Sequence, residues 1–100
     1  MTLKHKTLDY FFKRYPKRTT KERITSNTYE GYIGGIASIS FGVYKEWDEN
    51  DNCRIFEAEI QWSNDGGSRR IEYFPHTWDG FVSACEWLDE QRGKFAESLL

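Results

Sequence analysis

Two histidines, two cysteines and a pair of glutamates are the side chains of this 100-residue chain most suited to metal, nucleophilic or acid–base chemistry. A zinc site needs ligands in close pairs. His5, Cys53, His76 and Cys85 are scattered instead, so no metal is expected. Cys85 beside His76 would make a thiol–imidazole pair. Cys85 falls on an apolar helical stripe, however, and reads as a structural thiol. Glu57 and Glu59 stand two apart on one strand face, about 7 Å between Cα atoms. That spacing suits paired-carboxylate chemistry, although solvated strand glutamates are its ordinary explanation. The glycine-rich run Gly31-Tyr32-Ile33-Gly34-Gly35 lacks the following Lys-Ser/Thr and helix start of a phosphate cradle. The expectation is a non-enzymatic protein with no cofactor and no small-molecule substrate.

Charge is more informative. Residues 1–23 hold eight positive residues against Asp9 and Glu22, a balance of +6. Residues 24–100 hold six positives and fourteen negatives, a balance of −8. Within the basic segment, Lys13, Arg14, Lys17, Arg18, Lys21 and Arg23 lie close to Phe11, Phe12 and Tyr15. Cations can neutralise phosphates while aromatic rings stack on bases. The same charges can equally be a solvated tail that balances the acidic body. Arg54, Arg69 and Arg70 form a smaller basic group.

The elements that must position these groups are legible in the periodicities. Leu8, Phe11, Phe12 and Tyr15 form a helical stripe over residues 3–15, with Thr7 as a candidate cap and Pro16 as the stop. Residues 16–28 are polar and basic without a period and read as an arm. Residues 29–35, with three glycines, read as a turn or bulged strand. Ile39, Phe41 and Val43 alternate with small residues in a strand over 36–47, and Trp47 to Asn52 form a loop. Phe56, Ala58, Ile60 and Trp62 alternate with Glu57, Glu59 and Gln61, the cleanest period-2 pattern in the chain. Asn64 to Gly67 supply a hairpin turn, Arg69 to Phe74 return as a strand, and Pro75 ends it. A helix then starts near Trp78, capped by Thr77, with Phe81, Cys85 and Leu88 inward, and Gly93 is expected to break or end it. The fold class is α+β: a short N-terminal helix and basic arm over 1–28, then a βββα domain over 29–100. Its three-stranded antiparallel sheet packs on one C-terminal helix. No apolar run reaches the 18–20 or so residues that span a bilayer. With no visible signal segment and two cysteines read as reduced core thiols, a cytoplasmic location is expected.

Gly42-Val43, the inward Phe56, Ala58 and Ile60, the Gly66-Gly67 turn, Ile71 and Phe74, and Ala84 with Trp87-Leu88 carry a resemblance. Over residues 36–95 the chain resembles the Apetala-two/ethylene-response-factor class of DNA-binding domain. That class includes phage-borne and bacterial versions and the similar arm-binding domains of tyrosine integrases. The resemblance implies that outward sheet residues enter the major groove; here these are Arg54, Glu57, Glu59, Gln61, Arg69, Arg70 and Glu72. The first functional expectation is therefore a small module that binds DNA or RNA. It would use the basic arm (Lys13, Arg14, Lys17, Arg18, Lys21, Arg23) together with Arg54, Arg69 and Arg70. The alternative rests on Glu57, Glu59, Gln61 and Glu72. It is a protein-binding inhibitor or adaptor from a phage or mobile element, whose acidic sheet face occupies a basic surface of a host protein.

Overall fold

Phe56, Ala58, Ile60 and Trp62 are buried on one side of their strand, because alternation along an extended backbone sends every second side chain to the same face. They anchor a computed structural model that describes residues 6–24, 29–33, 39–62 and 68–98, without the side chains of 29–33 and 95–98. The elements are α1 (Thr7–Arg14), β1 (Tyr29–Ile33), β2 (Ile39–Asp48), β3 (Cys53–Trp62), β4 (Arg69–Pro75) and α2 (Trp78–Ser98). All neighbouring strands are antiparallel, in the order β1-β2-β3-β4. The α+β class and the three expected strands are present, and a fourth strand, β1, extends the sheet along β2. Glycine lowers strand propensity and left a turn or a bulged strand open over residues 29–35; Tyr29–Ile33 is a strand, paired with β2 over five residues. The Asn64–Gly67 turn and His5 lie outside the described residues.

One face of the sheet carries both helices. Ile39, Phe41 and Val43 of β2 join the four β3 residues and Phe81, Ala84, Cys85 and Leu88 of α2 in the core. Phe11 of α1 is buried in the same core, with its ring centroid 5.9 Å from Phe41 and 6.0 Å from Phe81. Burying such rings stabilises by about 1.5–3 kcal/mol each, which an isolated eight-residue helix needs in order to form.

The caps of α1 come from elsewhere in the chain. Thr7 does not cap its own helix; Lys6 occupies that position without a side-chain bond. The Thr7 N–H instead donates to Asp89 Oδ1 of α2 at 2.6 Å. At the other end Thr19 Oγ1 lies 3.1 Å from Phe11 O and 2.9 Å from Tyr15 O, so its proton serves the last-turn carbonyls. Residues 16–24 are thus folded back rather than trailing. Thr19 and Ile24 are fully buried, and the Arg18 guanidinium stacks 4.4 Å from the Tyr15 ring centre. In α2, Thr77 caps as expected, accepting from Gly80 N–H at 3.0 Å. Gly93 does not end α2, which continues to Ser98. A single glycine lowers helical stability by only about 1 kcal/mol.

The two cysteines are separate. Cys85 is buried, and burial pushes its thiol pKa up; Cys53 is exposed at the start of β3 and is not a core residue. No helix among the described residues is long and apolar enough to cross a membrane.

Candidate functional site: the open face of the sheet

With both helices on one side, the opposite face of β2, β3 and β4 has no covering layer among the described residues. Register decides who stands there. Across the middle run Tyr44, Glu57 and Tyr73; next to them lie Gly42, Glu59 and Ile71, then Ser40, Gln61 and Arg69. Glu46 and Ile55 occupy the row on the other side. Glu46, Glu57 and Glu59 thus share one face, flanked by two tyrosines.

Local packing shapes this surface. The Tyr44 ring folds over Gly42: a Cβ there would stand 2.6 Å from the ring carbon that bears the hydroxyl. Only glycine leaves the ring that position. Arg69 grips Glu59 in a two-pronged pair, Nε to Oε1 at 2.9 Å and Nη2 to Oε2 at 3.1 Å. Tyr73 donates its hydroxyl to Glu57 Oε1 at 3.4 Å. Tyr73 is 56% exposed, and Trp47, at the end of the sheet, is 54% exposed. A broad concavity of about 1250 Å³ wraps that end, lined among others by Glu46, Trp47, Glu57, Tyr73 and His76.

Glu57 has the perturbed carboxyl of the face. Partial burial raises its pKa above the ordinary value, and the nearby Glu46 and Glu59 raise it further, while the Tyr73 hydroxyl opposes the shift. The folded state therefore holds this proton more tightly than the unfolded chain does. Stability from this group is greatest below the ordinary carboxyl range and falls as pH rises to the raised folded value. Glu57→Gln should remove that slope and stabilise the protein at neutral pH, by less than about 1 kcal/mol at so exposed a site. Urea midpoints of the two proteins at pH 4 and pH 7 check this. A variant no more stable than wild type at pH 7 would refute the repulsion.

The sequence-named sites separate in space. Glu57, Glu59, Gln61 and Arg69 are on the open face. Arg54, Arg70 and Glu72 are not, although the resemblance set them outward: they stand in register with the inward residues of β2, β3 and β4, on the helix side. Arg70 reaches α2 there, donating to Gln91 Oε1 at 2.7 Å, and its guanidinium lies 5.4 Å from the Trp62 ring centre. The reason is phase. Arg69 and Arg70 are adjacent, so one must face each way. Lys13, Arg14, Lys17, Lys21 and Arg23 are exposed on α1 and the turns after it, with Arg18 half-buried. Tyr44, Glu46 and Tyr73 were not singled out from the sequence. Extending the β2 alternation past Val43 finds the first two, since even-numbered residues there oppose the core.

Among the described residues, no three His, Cys, Asp or Glu side chains are placed to hold a metal ion. Comparisons with protein-family models, curated proteins and solved structures find no match to this chain.

Proposed function

We propose that this chain is a non-enzymatic protein-binding module, acting in the cytoplasm as an inhibitor or adaptor. Its open sheet face would occupy a basic protein surface of the kind that holds nucleic acid. One observation carries the reading: Glu46, Glu57 and Glu59 share an uncovered face with Tyr44 and Tyr73, and the one arginine in those rows, Arg69, is engaged by Glu59. Clustered carboxylates speed encounter with a cationic partner. The tyrosines supply rigid contact area at the centre of the patch. The raised Glu57 pKa fits this role, because an approaching cation relieves repulsion already present on the face.

The test uses the full chain, immobilised and exposed to nuclease-treated lysate of its host. Glu57→Lys with Glu59→Lys should slow association with the captured partner about tenfold or more, with circular dichroism unchanged. Retention of the same partner by the double variant at the wild-type rate would sink the reading. A second reading rests on the exposed cations of α1 and its following turns: binding of DNA or RNA by Lys13, Arg14, Lys17, Lys21 and Arg23. It requires retention on nucleic acid that falls steeply with salt and is lost when these five become glutamine.

A further inference from the structure

The outer edge of β4 carries a self-complementary pattern. Trp62 N–H donates to Ser68 O at 3.0 Å, which sets the hydrogen-bonding phase of the β3–β4 pair. In the observed register, Ser68, Arg70, Glu72 and Phe74 then turn their backbone groups toward β3. Arg69, Ile71, Tyr73 and Pro75 turn theirs away from the sheet. Two details agree. Pro75, which has no N–H, stands at an outward position, where a strand tolerates proline. The Tyr73 N–H is met at 3.2 Å by the carboxylate of its neighbour Glu72 rather than by a strand. Among the described residues β4 is the last strand of the sheet, with a neighbour on one side only.

The geometry points to a second copy of this chain as the occupant of that edge, in an antiparallel two-fold pairing centred on Ile71. The phase also allows centres on Arg70 and Glu72, but each sets a charge directly against its own copy, which is destabilising. Centring on Arg69 sets Arg69 against itself, and centring on Tyr73 brings Pro75, which cannot donate, opposite Ile71. Centring on Ile71 pairs Ile71 with Ile71 and Arg69 with Tyr73, and sets Arg70 against Glu72 twice, once on each side of the axis. Opposite charges directly across a pair stabilise it, and like charges destabilise it. Glu72 releases the Tyr73 N–H to the incoming strand and takes the second copy's Arg70 instead. The product is one eight-stranded sheet. A two-fold axis perpendicular to the sheet keeps both open faces on the same side, so the two acidic rows lie in one surface. The pairing does not depend on what that surface binds.

Sedimentation velocity on the full chain, from low micromolar to about 1 mM, tests the pairing. A reversible monomer–dimer equilibrium is expected. Arg70→Glu and Glu72→Arg should each weaken the dimer about tenfold. The double exchange should restore it to within about threefold, since the pair is then merely inverted. Ile71→Pro removes an N–H that the β3 ladder does not use, and should give a monomer with unchanged circular dichroism. A monomer throughout the range, a double exchange no better than the singles, or a dimer that survives Ile71→Pro would each overturn the proposal.

Discussion

Gly80→Ala should destabilise this protein by about 3 kcal/mol, lowering the melting temperature by roughly 12–24 °C for a domain of this size. α2 starts just after β4, and the corner is held by one backbone bond and one side-chain cap. Thr77 N–H donates to Pro75 O at 2.8 Å, and Gly80 N–H donates to Thr77 Oγ1. A Cβ on Gly80 would collide with the Pro75 carbonyl oxygen and lie 2.8 Å from its carbonyl carbon. Both obstacles are backbone, so no rotamer change relieves them, and the helix must move off the sheet. Gly93 sits in the same helix with nothing within 4 Å of its would-be Cβ. Gly93→Ala should therefore stabilise by about 0.5–1 kcal/mol through helix propensity alone. Thermal melts of the two variants should move in opposite directions. A Gly80→Ala protein that melts with wild type would refute the close approach at this corner.

Arg92→Ala should cost about 3 kcal/mol or more and release α1 from the body. The Arg92 side chain is 1% exposed, and burial lowers its pKa while Asp89 opposes the shift. Its Nη1 donates to Thr7 Oγ1 of α1 and to Asp89 Oδ1 at 3.3 Å, and its guanidinium lies 4.8 Å from the Phe41 ring centre. One side chain thereby joins both helices to the sheet. Asp89 also accepts from the Thr7 N–H, so Asp89→Ala removes the α1 cap and leaves a buried guanidinium without its carboxylate. It should destabilise to a similar degree. Arg92→Met, which keeps much of the volume and needs no counter-charge, should lose less than Arg92→Ala. Urea denaturation with amide exchange of residues 10–15 measures both effects. Wild-type protection of those amides in Arg92→Ala would show that α1 docks without this tie.

Much of this was legible before any coordinates. The β3 alternation named four buried residues correctly, and the α2 stripe at 81, 85 and 88 named three more. Thr77 followed from cap chemistry, and Pro16 marked the end of α1. The α2 stripe goes on at Gln91 and Arg92, both buried. Apolar periodicity cannot register them, because a buried polar side chain is recognised only by its partners, and those of Arg92 lie 85 and 3 residues away. Residues 16–24 misled in a similar way. Their basic composition suggests an arm, but two buried residues, Thr19 and Ile24, are enough to fold the turns onto α1.

By itself the sequence determined the alternation of the strands, the order of the elements, the helix stop at Pro16 and the excess of carboxylates after residue 23. These are local properties, set by backbone sterics and by residue type at short spacing. The tertiary structure alone decided that both helices lie on one face, that Arg70 rather than Arg69 is the one turned toward them, and that Glu46 joins Glu57 and Glu59 in one surface. The physical reason is register: which residues become neighbours across a sheet depends on pairings 5 to 23 positions apart, and a shift of one residue would exchange the two faces.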